Sequence, residues 1–387
     1  MLTRGLPMGL TETIPAIRHT VATPQVKERL PHGTICVTKN AAVQQLTKML
    51  AICAPALVLC CGVAEAQYQP ASNADQDAMY VHFTKAKQIA GLDLYPHFAH
   101  ACIVDQHYRT TISRRIQSTG DIPPEKVFDH LYFVGQNAVS AWAIQTSEGI
   151  ILIDTLNNPD DAQKFIVGGL EKLGLKPADI KYIFITHAHG DHFGGAKYLH
   201  DTYGAHLVAS KIDWDAMGKQ KAAPPRPRAS DGGGLQPPAE WAKLVPERDI
   251  EVTDGQKFTF GGTTLNVHIT PGHTQGLISF IFKVSDHGEP HVAGLFGSLG
   301  MPANIDDKRI QMASVSRFRK LAQAEGVDTL IAPHQTRDLA LQKLEINRLR
   351  RAGDPNPFVI GKEGYLRYMD VQTECIYYAA AREGQKF

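Results

Sequence analysis

The chain has 387 residues, 43% hydrophobic and 20% charged, enough apolar material to bury a substantial core and too much for a disordered or collagen-like polymer. Its 40 basic and 39 acidic side chains leave a formal charge of +1. No run of like charges appears, so nothing in the sequence marks a nucleic-acid or anionic-lipid partner. At roughly 150 residues per domain, length alone predicts two or three domains.

In chain order, the first distinct feature is the apolar run Met49 to Val63. It is short for a membrane-spanning helix, which needs about 20 residues. Lys39 and Lys48 precede it and Ala64-Glu65-Ala66 follows, the order of a secretory signal peptide cleaved after Ala66. A buried core helix is the plainer alternative. Cys60 and Cys61 raise a lipoprotein reading, which Leu57-Val58-Leu59 does not favour because it lacks small residues before the cysteine. Residues 1–36 show no clear period, and a reading frame begun upstream of true initiation explains them more simply than an extra domain. We therefore expect a presequence over 1–66, an N-terminal segment over 67–125 and a folded domain over 126–387, exported to the periplasm or secreted. The 321 residues left carry 34 basic and 36 acidic side chains and retain only Cys102 and Cys375. Those two either pair or remain free and buried.

Residues 67–125 read as polar and irregular, with a helix over 76–90. From Lys126 the text changes to short runs rich in β-branched and aromatic residues, HLYFVG, AVSAWAIQT and GIILIDT, split by turn residues. They predict consecutive antiparallel strands. Pro159 to Leu173 has helical periodicity, and Tyr182 to Thr186 reads as a buried strand. LVAS, KFTFGG, TTLNVHIT, LISFIFKVS and HVAGLFG continue the strand grammar, with a turn at Asp254-Gly255. Helices are expected over 309–323 and 338–351, flanking a strand at Thr329 to Ala332. Lys219 to Glu240, dense in Pro and Gly, predicts a long loop, either an inert insertion or a flap over the site.

Three of the 17 histidines cluster in one string, Thr186-His187-Ala188-His189-Gly190-Asp191-His192-Phe193-Gly194-Gly195. A buried strand ends there in four metal-capable side chains. A solvated histidine-rich loop is the alternative, but neutral imidazole and carboxylate are the N and O ligands that zinc takes. Residues i and i+2 of an extended segment point the same way, so His187 and His189 can grip one ion. Asp191 and His192, past the turn at Gly190, can face a second, and Gly194-Gly195 permit a sharp entry into the next helix.

His-x-His-x-Asp-His after a strand, within two halves of like grammar, resembles the metallo-β-lactamase superfamily over roughly Val127 to Ala352. The resemblance implies an α/β fold, an αββα sandwich of two mixed sheets covered by helices, holding two zinc ions. It makes His273, in Thr270-Pro271-Gly272-His273-Thr274-Gln275-Gly276, the third ligand of one zinc with His187 and His189. It places His334, in Ala332-Pro333-His334, on the other zinc with Asp191 and His192. Asp154, closing the IILID run, matches a carboxylate that supports the metal loop from behind, or is a simple turn cap. Many superfamily hydrolases place an aspartate between the zincs after a late strand, and some β-lactamases a cysteine. Here Gly297-Ser298-Leu299-Gly300 follows HVAGLF, so Ser298 holds that slot, as in the β-lactamase subclass with five histidines and one aspartate as ligands. That subclass usually has Ala-Asp-Ser before the leucine, where this chain has Phe-Gly-Ser.

The resemblance implies a hydrolase in which a hydroxide held by two zincs, oriented by Asp191, opens a cyclic amide of a small-molecule substrate. β-Lactams are the first candidates, with Ser298 binding a substrate carboxylate. A lactone or other ester is the alternative. A thioester hydrolase is less favoured, since it would want the bridging aspartate, and a non-catalytic binding module would tend to lose ligands that this chain keeps. The residues at 97, 100, 200, 206, 268, 287 and 291 are histidines without a motif and read as structural or surface groups. No Gly-x-Ser-x-Gly or Ser-x-x-Lys element supports a serine nucleophile.

Overall fold

In the computed structural model, which describes residues 70–108, 120–222 and 242–387, the β-branched and aromatic runs pair into two sheets. The first holds β1 (Glu125–Phe128), β2 (Leu131–Phe133), β3 (Trp142–Thr146), β4 (Gly149–Ile153), β5 (Ile180–Phe184), β6 (His206–Ser210) and β7 (Ile250–Val252) side by side in sequence order. β1 to β4 pair antiparallel through short turns, and β4 to β7 pair parallel. The second sheet has the order β12 (Thr329–Ile331), β11 (Glu289–Leu295), β10 (Ile278–Asp286), β9 (Thr263–Ile269) and β8 (Lys257–Phe260). It is antiparallel except for β11 with β12.

The main helices among the described residues are α1 (Gln76–Ala90), α2 (95–107), α3 (159–172), α4 (Gly190–Phe193), α5 (Ala196–Tyr203), α6 (Lys211–Ala222), α7 (Ile305–Glu325), α8 (Gln335–Asp338), α9 (Ala340–Leu349) and α10 (Lys362–Arg382). Parallel neighbours need a crossover, and α3, α4, α5 and α6 supply it. Strand alternation then sorts side chains into layers. Leu152 and Ile183 face a core shared with Ile166 and Leu170 of α3, Leu199 of α5 and Trp214 of α6. Their neighbours Ile151, Ile153 and Phe184 face the other way, into a second core with Val267, Ile278, Phe280 and Leu295 of the opposite sheet. Leu277, Ile281 and Leu330 close a third core with α1, α2, α7 and α10. Helix, sheet, sheet, helix is the αββα sandwich expected.

Several local expectations are corrected. Residues 95–107 are helical rather than irregular, because Leu94, Phe98 and Cys102 pack with Tyr368, Met369 and Cys375 of α10. Cys102 and Cys375 are joined in a disulfide across a separation of 273 residues, so the free-cysteine alternative is set aside. The helix over 159–172 is interrupted by a π-helical stretch at Ala162–Val167. β5 ends at Phe184, two residues early, because the Thr186 amide donates to the Asp154 carboxylate instead of continuing a ladder. Residues 219–222 complete α6 rather than opening a loop. The expected 338–351 helix is split at Leu339, whose φ is +60°. The presequence over 1–66 and the stretch 223–241 lie outside the described residues.

Candidate metal centre

Five chain segments leave the two sheets along one edge and carry every residue singled out by the sequence. Asp154 follows β4, the 185–192 segment follows β5, and His273 follows β9. Ser298 follows β11 and His334 follows β12. Crevices beyond the carboxyl ends of parallel strands are where open α/β sheets place their sites.

His187, His189 and His273 each offer a ligand atom to a common point, as do Asp191, His192 and His334; within each trio the atoms lie within 4.8 Å of one another. In the first, His273 Nε2 lies 3.0 Å from His189 Nδ1. In the second, His192 Nε2 is 3.2 Å from His334 Nε2, and Asp191 Oδ2 is 3.5 and 3.6 Å from those two nitrogens.

Hydrogen bonds behind the rings decide which nitrogen faces the centre. Asp154, fully buried, accepts from the Thr186 amide through Oδ1, and through Oδ2 from Thr186 Oγ1 and His192 Nδ1, each at 2.8 Å. A carboxylate only accepts, so His192 carries a proton on Nδ1 and turns Nε2 toward the centre. With the Thr186 hydroxyl proton spent on Asp154, its oxygen accepts from His187 Nδ1 at 3.1 Å. His187 Nε2 is then buried and partnerless, a lone pair that burial alone would make costly. His334 Nδ1 donates to the Ala138 carbonyl at 3.1 Å, turning its Nε2 inward. Asp154 itself has φ +62°, a conformation that Asp and Asn tolerate better than other side chains.

Electrostatics favour neutral rings at four of the five histidines. Burial pushes His187 and His273 well below the ordinary imidazole range, lowers His189, and takes His334 down to about 4. Burial also opposes charge on His192, but Asp191 and Asp154 outweigh it and raise the ring to about 10. Burial works against the Asp191 carboxylate too, and the adjacent His192 overcomes it to hold Asp191 below its usual range. Four neutral rings, one carboxylate and an orphaned buried Nε2 suit a divalent cation in each trio, and a cation beside Asp191 would replace the proton that the two carboxylates favour on His192.

The loops are held by close backbone approach. A Cβ at Gly194 would lie 2.0 Å from the Asn157 carbonyl oxygen, and one at Gly195 would lie 2.4 Å from Ala162 Cβ. The pair therefore serves close packing onto the segment after β4; neither has positive φ. Ser298 is nearly buried and its Oγ accepts from the Gly300 amide. A Cβ at Gly300 would lie 2.4 Å from the His273 ring, so the Ser298 loop lies flush against the first trio.

Sequence reading missed Asp213, which lies in α6 and bonds to both loops of the first trio; burial pushes its carboxyl up. No local signal distinguished it from any helix-start aspartate. Of the histidines read as structural, His97, His200, His206 and His291 do pair with backbone carbonyls or carboxylates away from the centre.

An αββα sandwich with such a centre at its edge defines a metal-dependent hydrolase. Residues 134–286 match the family described as the metallo-beta-lactamase superfamily, and the chain carries a domain of that superfamily. Similar solved structures include a subclass B3 metallo-β-lactamase of Bradyrhizobium japonicum, 29% identical, covering 67% of this chain and 94% of that one with a TM-score of 0.53. The FEZ-1 metallo-β-lactamase of Legionella gormanii is 25% identical, covering 67% and 95% at 0.55. Among curated proteins, a hydroxyacylglutathione hydrolase of Synechococcus sp. is 28% identical over 233 residues, 54% of this chain and 79% of that protein.

Proposed function

We propose that this protein is an exported zinc hydrolase that opens a cyclic amide, with β-lactams the leading substrate class. The observation that carries the reading is the pair of trios, His187, His189, His273 and Asp191, His192, His334, beside a loop bearing serine rather than aspartate or cysteine at 298. In this reading each trio holds one zinc. Zinc bound there supplies Lewis acidity and makes water nucleophilic at neutral pH.

The chain's own groups do the rest. Asp154 and the Ala138 carbonyl keep the protons of His192 and His334 on Nδ1. Asp191 accepts a hydrogen bond from the attacking water and orients it toward the substrate carbonyl, acting as the catalytic residue. Ser298, whose Oγ already accepts from Gly300, keeps its own O–H to donate to a substrate carboxylate. The Cys102–Cys375 bond favours an oxidising compartment, in keeping with a presequence over 1–66 cleaved after Ala66, periplasmic or secreted residence and a role in antibiotic resistance. No described helix is long and apolar enough to cross a membrane.

A second reading has the same centre cleaving a thioester, lactone or other ester; the thioester form is favoured by the hydroxyacylglutathione hydrolase relative. Parallel assays of the zinc-loaded protein on a chromogenic cephalosporin, a lactone and a hydroxyacylglutathione separate these. We expect the cephalosporin to give the highest kcat/KM; turnover of the thioester or lactone with none of the cephalosporin overturns the β-lactam assignment. Ser298→Ala should raise KM for a carboxylated substrate with little change in kcat, and an unchanged KM removes that role.

A further inference from the structure

The helix that follows β6 supplies no ligand, yet it grips both loops of the first trio. Asp213, 1% exposed, lies in the first turn of α6. Its Oδ2 accepts from the Ala188 amide at 3.0 Å and from Thr274 Oγ1 at 2.8 Å, and its Oδ1 accepts from the Gly276 amide at 3.0 Å. Ala188 is the residue between His187 and His189, and Thr274 is the residue after His273. One carboxylate therefore spans two loops some 85 residues apart in the chain.

Two further contacts make this a built clamp. Gln220, two turns along the same helix, donates from Nε2 to the Ala188 carbonyl at 2.6 Å, so α6 engages Ala188 at both its amide and its carbonyl. At Gly276 a Cβ would lie 2.2 Å from Ser210 Oγ and 2.6 Å from the Asp213 amide nitrogen, so the His273 loop rests directly on the start of α6. The hydrogen bonds of this carboxylate go to the loops of the first trio, whereas the rings of the second are braced by Asp154 and the Ala138 carbonyl.

We propose that Asp213 is a positioning residue that fixes the spacing between the His187–His189 segment and His273, and so sets the metal affinity of the first trio independently of the second. The inference rests on reading both trios as metal sites. Two hydrogen-bond acceptors with no proton of their own are needed at this point, which Asp supplies and Asn does not. An amide at 213 must turn its NH2 toward either the Ala188 or the Gly276 N–H, leaving donor facing donor in a buried place.

The test is stepwise cobalt(II) and zinc binding to the intact protein, followed by chelator competition and by the visible spectrum of the cobalt form. His189→Ala and His334→Ala assign the two steps. We expect Asp213→Asn to weaken the first-trio step by about tenfold or more with an altered cobalt spectrum, leaving the second-trio step unchanged. Thr274→Val, which removes one of the three bonds, should weaken the same step by a smaller factor. Equal weakening of both steps in Asp213→Asn marks a merely structural role and overturns the proposal, as does a folded variant with both steps unchanged. Should Asp213→Asn fail to fold, an unchanged first step in Thr274→Val overturns it. Wild-type protein that takes up fewer than two equivalents overturns the two-metal reading and this inference with it, whereas two normal steps in wild type and variant alike overturn the inference alone.

Discussion

Asp154→Asn is the most informative single substitution at the centre. Asn fits the left-handed backbone at this position, φ +62°, so the change tests hydrogen bonding with little added strain. One amide oxygen cannot serve the Thr186 amide, Thr186 Oγ1 and His192 Nδ1 together. If it stays with the Thr186 amide, the NH2 faces His192 Nδ1–H, and His192 is driven to carry its proton on Nε2. That nitrogen is the one 3.2 Å from His334 Nε2, at the heart of the second trio. The same NH2 donates to Thr186 Oγ1, whose proton then turns toward His187 Nδ1 and disturbs the first trio too. A buried hydrogen bond to a charged partner contributes about 1.5–3 kcal/mol. That converts to roughly 10- to 100-fold in metal affinity. Chelator competition reads the affinity directly, and kcat for the best substrate should fall with it. Unlike Asp213→Asn, this variant should weaken both steps. Two metal equivalents bound at wild-type affinity with wild-type kcat would falsify the tautomer argument.

Other predictions probe the frame around the centre. Gly300→Ala places a methyl where the His273 ring lies, and should cut metal binding at the first trio while Gly353→Ala, at an open surface turn, leaves it intact; equal effects would refute the close-packing account. Reducing the Cys102–Cys375 bond, or replacing both cysteines by alanine, should lower unfolding stability by up to about 5 kcal/mol from loop entropy. A loss under about 1 kcal/mol in guanidinium titration would show that the bond constrains little. Burial, helped by Lys343, pushes His97 from 6.5 to about 3. The unfolded chain then binds this proton more readily than the folded one. Its effect on stability is absent above about pH 6.5 and becomes a loss as pH falls toward 3, at up to about 1.4 kcal/mol per unit. His97→Gln, which keeps a donor for the Arg337 carbonyl, should flatten that slope, and an unchanged slope excludes His97 as its source.

Much of the centre was legible because its chemistry is compressed into few residues. His187, His189, Asp191 and His192 fall within one short string after a strand, and strand periodicity marked most of the two sheets. The segments bearing His273, Ser298 and His334 were legible only through a family pattern, since a single loop histidine or serine carries no local signal. Residues 95–107 looked irregular although Leu94, Phe98 and Cys102 stand at helical spacing, and they are ordered by α10, more than 250 residues later. Asp213 was invisible because its partners at 188, 274 and 276 meet it only once β5 and β6 have paired in one sheet and β9 has packed against them from the other.

What the sequence determined alone was the order of strands and helices, and a donor set that zinc chemistry explains and composition does not. Tertiary structure decided which ring nitrogen faces the centre, whether Cys102 finds Cys375, and what braces each trio. The physical reason is range. Periodicity and ligand chemistry act within a few residues, whereas tautomers, disulfides and buried carboxylates depend on partners that only the folded chain brings within about 3 Å.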